Sequence, residues 1–156
     1  MNTYLLLKWI HIISSVLLVG TGLGSAFYLF FINRSDNTPA IAEVSRLVVR
    51  ADFWFTAPTV VIQPLTGLAL VSIAGYSYTQ PWLLWVYGLY ALAGACWLPV
   101  VWLQIRMSRL ASIAVQDNAP LPPQYWQYAR YWEWLGYPAF LAMLIVFGLM
   151  VFKPSL

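Results

Sequence analysis

His11 is the residue with the widest chemical scope, since it is the only histidine in a chain of 156 residues. It lies in an apolar and small-residue segment of about residues 4–32, longer than the roughly 20 residues that a helix needs to cross a bilayer. An imidazole there must face other helices, a cofactor or a water-filled cavity, because contact with lipid is costly. Three roles remain open: hydrogen bonding within the bundle, ligation of a haem or metal, and proton or quinone chemistry.

As a haem ligand, His11 needs a second axial group or an open position. Met143 and Met150 lie at roughly its depth if the helices cross the membrane at similar tilt, so either sulfur could be that group. A single histidine excludes bis-histidine ligation within one chain, and a single cysteine, Cys96, leaves no cysteine-rich metal motif. A classical multi-histidine metal cage within one protomer is therefore excluded, and we expect no such metal site.

Polar residues recur at helical spacing on both sides of the expected cavity. Ser14 and Ser15 share the face of His11 at about 100° per residue. A second apolar segment carries a polar ridge on one face, formed by Asp52, Thr56, Thr59, Gln63 and Thr66. A bilayer requires that this ridge be covered, either as interhelical hydrogen bonding or as a functional lining. We predict that the cavity is lined by Ser14, Ser15, Thr59, Gln63 and Thr66.

The proline after Gln63 makes a separate prediction. Pro64 cannot donate a backbone hydrogen bond, so the carbonyl about four residues earlier loses its helical donor. We expect a polar side chain or a ligand near that carbonyl.

Two further groups of residues allow a structural and a functional interpretation. The first is a charged rim where two helices are expected to begin, formed by Arg50, Asp52, Arg130 and Glu133. It either caps and ion-pairs the helix ends or receives the carboxylate or phosphate of an amphiphilic ligand. The second is the pair Gly20 and Gly24, suited to close packing against a neighbouring helix or a second copy.

The elements that position these residues follow from composition. With 62% hydrophobic and 8% charged residues, the chain is an integral membrane protein of one domain, 1–156. We predict an all-α bundle of four transmembrane helices at about 4–32, 51–74, 82–103 and 131–151, with a short helix from Pro39 leading into the second. The first segment is expected to be retained rather than cleaved as a signal peptide.

Basic residues predict the orientation. The polar connections, about 33–50 and 104–130, hold six arginines: Arg34, Arg46, Arg50, Arg106, Arg109 and Arg130. The opposite side holds Lys8 and Lys153. By the positive-inside rule both connections are cytoplasmic, and both termini are periplasmic or extracellular. The net charge of +3 is thus a topology signal and does not indicate nucleic-acid binding.

Several motifs carry a family resemblance over nearly the whole chain. They are Lys8-Trp9-Ile10-His11 with Gly20-Thr21-Gly22, Gln63-Pro64-Leu65-Thr66-Gly67, Trp134-Leu135-Gly136-Tyr137-Pro138-Ala139-Phe140 and Leu149-Met150-Val151-Phe152-Lys153-Pro154. With these the chain resembles an uncharacterised bacterial inner-membrane family, a domain of unknown function. That family is distantly similar to HemJ-type protoporphyrinogen oxidases and CopD copper-resistance proteins, which share an early histidine and a glycine-bearing stretch in the first helix. The resemblance implies a b-type haem at His11 and, if the chain is an enzyme, an oxidoreductase acting on a porphyrinogen-like or quinone-like substrate.

Three functional hypotheses follow for a multi-pass protein of the bacterial inner membrane. The leading one is a haem-b-binding or redox-associated protein with His11 as axial ligand. The second is a non-catalytic subunit or assembly factor of a larger complex, and the third is a small-solute or metal permease, for which four helices are few. The expected partners are the lipid bilayer and a homo-oligomer or membrane complex.

Overall fold

The computed structural model describes residues 2–154, and its fold is all-helical over that range. The helices are α1 (Thr3–Ile32), α2 (Thr38–Ala51), α3 (Ala57–Ile73), α4 (Pro81–Gln116) and α5 (Pro123–Phe152). A π-helical turn, Asp52–Thr56, joins α2 to α3 without a break. Four helical segments are long and apolar enough to cross a membrane: 3–32, 38–73, 81–116 and 123–152. The predicted four-helix membrane fold is confirmed.

The helices extend well beyond the predicted apolar segments, into both polar connections. The second span begins at Thr38 instead of about 51, with Pro39 in its first turn as predicted and the Asn37 side chain accepting from the Ala40 N–H at 3.1 Å. Proline suits a first helical turn because its missing N–H would have no helical partner there. The α4 helix likewise continues to Gln116. Hydropathy predicts where an apolar segment ends. The helix itself continues until residues that cap or terminate a helix occur, so it can be longer than its apolar segment.

Two ends of the bundle can be distinguished by their charges. The arginine-rich end comprises the end of α1, all of α2, the last turns of α4 and the first turns of α5, and it holds all six arginines. The terminal end holds the start of α1, the end of α5 and the turn between α3 and α4. At the arginine-rich end a large buried cluster forms around Leu29, Met107 and Tyr125. A smaller one at the terminal end forms around Val71, Leu83 and Val146.

The helices form two antiparallel pairs, and a tightly capped turn joins one pair to the other. The α1 helix packs along α3, the α4 helix packs along α5, and α2 packs on α4 at the arginine-rich end. Between α3 and α4, Gly75 has a φ of +70°, and the Tyr76 N–H donates to the Val71 carbonyl at 3.1 Å. This is the Schellman arrangement, which favours glycine because the left-handed region is strained for other residues. The two helix pairs leave room between α1 and α5.

The π-helical turn sits directly before Pro58. In it the Ala57 N–H donates to the Asp52 carbonyl, five residues earlier. Pro58 cannot donate, and its ring excludes the carbonyl four residues before it, so the helix widens by one residue at this point. Within this turn the side chains of Asp52 and Thr56 are both buried, at 5% and 3% exposure.

Candidate functional site

His11 is held between α1 and α3 by hydrogen bonds to both of its ring nitrogens. Its Nδ1 lies 2.8 Å from Thr66 Oγ1, and its Nε2 lies 3.3 Å from Gln63 Nε2. The Gln63 amide nitrogen can only donate, so His11 Nε2 accepts and Nδ1 carries the proton that it donates to Thr66. Thr66 in turn donates to the Ile62 carbonyl at 2.7 Å. The network assigns one neutral tautomer to His11.

Ser14 and Gly67 complete the packing around the imidazole. The Ser14 hydroxyl lies 3.0 Å from the His11 carbonyl and donates to Gln63 Oε1. A Cβ on Gly67 would lie 3.2 Å from His11 Cε1, closer than ordinary van der Waals contact. Glycine at that position thus lets α3 approach the ring closely. Four polar side chains and one glycine join α1 to α3 here.

This geometry does not fit axial haem ligation by His11. An iron would need the lone pair of Nε2, which accepts from Gln63, or that of Nδ1, whose proton is donated to Thr66. Met143 lines a cavity whose lining, among the residues described, does not include His11, and Met150 packs in the terminal-end cluster. Across residues 2–154 no three His, Cys, Asp or Glu side chains lie together in a metal-binding group. A haem at His11 would require one of these hydrogen bonds to break, and we derive no chemistry through it.

The predicted polar ridge does face the bundle interior. All five of its members are buried, at 8% exposure or less. Thr59 donates to the Phe55 carbonyl at 2.6 Å, whereas Ser15 donates to the Ile12 carbonyl of its own helix at 2.8 Å and stays outside the network. The ridge is divided by depth. Gln63 and Thr66 bind His11, and Asp52 and Thr56 face a cavity nearer the arginine-rich end.

The carbonyl freed by Pro64 has the polar partner that the sequence predicted. Four residues before Pro64, the Val60 carbonyl accepts from the Tyr90 hydroxyl of α4 at 2.8 Å. A proline in one span is thus compensated by a tyrosine in another, which ties α3 to α4.

All four spans line one cavity of about 420 Å³. Its wall is largely aliphatic and aromatic, and includes Leu18, Gly22, Val60, Ala93, Gly94, Gly136 and Met143. Leu23 and Phe27 of α1 and Tyr137 of α5 line the cavity and are also 51%, 56% and 64% exposed. The cavity therefore opens sideways between α1 and α5, on the surface that faces lipid.

The end of the cavity nearer the arginine-rich end is polar. Thr56 Oγ1 donates to Asp52 Oδ1 at 2.9 Å, and the Gln104 side chain lies beside Asp52. Gln104 is only 5% exposed, and its Oε1 has no hydrogen-bond partner among the residues described. The same holds for the buried Nε1 of Trp97. A buried acceptor and a buried donor thus remain free in the wall of the cavity.

The predicted charged rim is divided between two environments. Asp52 lies inside the cavity, while Glu133 pairs with Arg34 at 3.4 Å at the cavity edge. The Arg34 guanidinium also lies 3.3 Å from the centre of the Phe30 ring. Arg50 and Arg130 are exposed. Because α2 and α5 begin earlier than predicted, Asp52 and Glu133 lie within helices rather than at their first turns.

Gly20 and Gly24 do not pack against another helix of this chain. A Cβ at either position would meet nothing within 4 Å of the part of the chain that the structure describes. Packing of this pair against a second copy stays a prediction.

Sequence reasoning missed Gln104 and Trp97. Gln104 follows the apolar run that ends at Leu103, so it was placed in a polar connection. Their spacing of seven residues, which puts both on one helix face, is the signal that could have found them.

Comparison with known proteins shows the family. No curated protein and no solved structure matches the chain. Residues 5–154 match a family described as predicted integral membrane protein, which agrees with the four apolar spans. The chain belongs to this family of integral membrane proteins, DUF2269.

Proposed function

We propose that this protein binds a lipophilic molecule, which enters the cavity from the bilayer through the opening between α1 and α5. The observation that carries the proposal is the cavity itself, apolar along its wall and polar at one end. Its volume of about 420 Å³ is within the range of small-molecule sites, which combine apolar walls with a few fixed polar groups. A π-helical turn at its polar end supports the same interpretation, since such turns are frequent at functional sites.

The shape of the cavity suits an elongated ligand. On α4 its lining runs from Tyr90 to Gln104, which is about 21 Å at 1.5 Å per residue. On α5 it runs from Trp132 to Met143, or about 16 Å by the same rise. A molecule with an alkyl or prenyl tail can lie along this slot with its head at the polar end.

We further propose that the arginine-rich end faces the cytoplasm of a bacterial cell. All six arginines lie at that end, against one lysine on each of the two terminal segments, and cytoplasmic ends carry the excess of basic residues. The ligand head group then lies at the depth of the cytoplasmic leaflet. The protein is a multi-pass component of the inner membrane under this proposal.

Photolabelling tests the binding site directly. The protein is reconstituted in phosphatidylcholine vesicles with a diazirine-bearing dodecanol, irradiated, and digested to map the labelled peptides. We expect label on cavity residues of α1, α4 and α5. Label spread evenly over lipid-facing residues would contradict the proposal.

A matched pair of glycine variants provides the control. Gly94 lines the cavity, Gly88 of the same helix is not among its lining residues, and a Cβ at either position meets nothing within 4 Å. Gly94→Phe is therefore expected to fill the cavity and remove the specific label, whereas Gly88→Phe retains it. Equal labelling of the two variants would overturn the proposal, and so would crosslinks showing that a helix of a second copy fills the slot.

A further inference from the structure

The polar end of the cavity carries an acceptor that no described side chain satisfies. Gln104 is only 5% exposed, and its side chain lies beside Asp52. Its Oε1 has no hydrogen-bond partner among the described residues. Leaving such a group unpaired away from water costs free energy, so buried polar atoms in native proteins almost always have partners. Gln104 lines the cavity, so a rotation of its side chain would bring this oxygen to a ligand group that donates a hydrogen bond.

The surrounding charges restrict what that group can be. Asp52 and Glu133 both line this end of the cavity, and both are acidic. Arg34, the cation at the cavity edge, is paired with Glu133 at 3.4 Å. A carboxylate or phosphate head would thus lie beside Asp52, which has no ion-pair partner among the described residues, and beside Arg34, whose charge is already paired with Glu133. The environment favours an uncharged head group with a hydrogen atom to donate.

Trp97 adds a second point of recognition. Its Nε1 donor is buried and lacks a partner among the residues described. It lies seven residues before Gln104, or about 10 Å along the helix. An acceptor oxygen further along the ligand would satisfy it. The cavity wall thus suits a ligand that has a hydrogen-bond donor in its head group and an acceptor about 10 Å along its chain.

Selectivity must come from these polar groups rather than from the tail. Hydrocarbon lipid tails are as apolar as the side chains of the cavity wall, so a tail moving from the bilayer into the slot gains little. Hydrogen bonds that lipid cannot supply then separate one ligand from another.

We propose that the ligand of this cavity is a neutral, hydroxyl-bearing amphiphile whose hydroxyl donates to Gln104 Oε1, and that a carboxylate of equal chain length is disfavoured. The inference depends on the proposed binding of a lipophilic molecule in the cavity. It adds the chemical class of the head group to that proposal.

Three photolabels of the same chain length test the inference: the diazirine-bearing dodecanol, its methyl ether and the corresponding dodecanoate. At equal concentrations in phosphatidylcholine vesicles, we expect the alcohol to label cavity peptides about three- to tenfold more than the ether, because the ether cannot donate. The carboxylate is expected to label less than the alcohol.

A glutamine pair identifies the acceptor. Gln104→Leu removes it and is expected to lower alcohol labelling to the level of the ether. Gln116→Leu, at the exposed end of the same helix, is expected to keep the preference for the alcohol. The comparison of the three probes on the wild-type protein needs no variant, so the inference stays testable even if Gln104→Leu fails to fold.

The outcomes separate the two proposals. If alcohol and ether label the wild-type cavity equally and Gly94→Phe removes both labels, the head-group inference is overturned and cavity binding stands. Preferential labelling by the carboxylate also overturns the inference alone. If no probe gives a label that Gly94→Phe removes, both proposals fail.

Discussion

At the scale of the residue, Tyr125 joins three helices through one hydroxyl group. The ring is fully buried, the hydroxyl donates to Asn33 Oδ1 at 2.7 Å, and Ser45 Oγ lies 3.4 Å from it. Tyr125→Phe leaves the Asn33 acceptor without this donor, and we expect it to lower the free energy of unfolding by about 1–2 kcal/mol. Thermal unfolding in detergent measures the loss. The matched control is Tyr131→Phe, an exposed ring of the same helix, and an equal effect of both variants would contradict the prediction.

His11 gives a residue-scale prediction that separates packing from haem binding. In His11→Ala, Gln63 and Thr66 lose their partner, so we expect a loss of about 1–2 kcal/mol of stability. Since the ring nitrogens already have protein partners, we expect the absorbance spectrum in the haem region to be the same for wild-type and variant. Ser15→Ala is the control, because the Ser15 hydroxyl bonds only its own helix at Ile12. A redox-sensitive Soret band lost in His11→Ala would instead establish His11 as a haem ligand.

The sequence predicted which side chains face inward, but not which of them meet. Helical periodicity placed Gln63 and Thr66 on one face and Ser14 beside His11, and the structure joins all four. Helical periodicity predicts which face of a helix a residue lies on, but not which residues of neighbouring helices lie at the same depth in the membrane. It therefore could not predict that part of the ridge binds His11 and part lines the cavity. Gln104 escaped notice because its neighbours Arg106 and Arg109 end the apolar window, although a helix continues past them.

At the scale of the element, Pro64 couples the second span to α4. The Val60 carbonyl, freed by Pro64, accepts from Tyr90. In Pro64→Ala a backbone N–H becomes available to that carbonyl. Tyr90→Phe should therefore destabilise the wild-type protein more than it destabilises Pro64→Ala, with a coupling of about 0.5–2 kcal/mol.

A double-mutant cycle of unfolding free energies measures this coupling. The control cycle pairs Tyr90→Phe with Pro58→Ala, because Pro58 lies before Val60 and does not free its carbonyl. Additive effects in the Pro64 cycle would show that the Tyr90 hydroxyl does not replace the missing helical donor.

The sequence predicted four apolar helices but not their full lengths or the π-helical turn. A proline inside a helix, such as Pro58, leaves one carbonyl without a donor. Whether the backbone kinks or widens depends on packing around Asp52 and Thr56, which a single sequence does not contain. The buried face of α2, formed by Ile41, Ser45 and Val48, shows that tertiary contacts extend the second span well outside its apolar segment.

At the scale of the whole molecule, the cavity depends on how the helices pair. Because α1 packs on α3 and α4 packs on α5, space remains where the two pairs meet. Helical periodicity predicted a cavity lined by Ser14, Ser15, Thr59, Gln63 and Thr66, and none of these is among the described residues that line the observed cavity. Hydropathy fixes the number of spans but not their neighbours, so the place of the cavity and its opening between α1 and α5 were not predictable. The polar groups at its end come from the second, third and fourth spans. They form one polar site only because the helices bring them together.

The orientation of the chain in the membrane determines which leaflet the polar end of the cavity lies in. In a Cys96→Ala background, which removes the only native cysteine, a single cysteine is introduced at Asp36 or at Ser77. Both residues are exposed, Asp36 between α1 and α2 at the arginine-rich end and Ser77 in the turn between α3 and α4. We expect a membrane-impermeant maleimide to label Ser77→Cys on intact bacterial cells and to label Asp36→Cys only after permeabilisation.

The reverse labelling pattern would contradict the positive-inside argument for this chain. It would also move Asp52 and Gln104 to the outer leaflet, so that a ligand would be captured from the opposite side of the bilayer. Labelling of both positions on intact cells would indicate that the chain inserts in both orientations. The excess of six arginines over two lysines would then not determine a single orientation. The expected pattern instead places the head group of the proposed ligand near the cytoplasmic surface, because Asp52 and Gln104 lie at the arginine-rich end of the cavity.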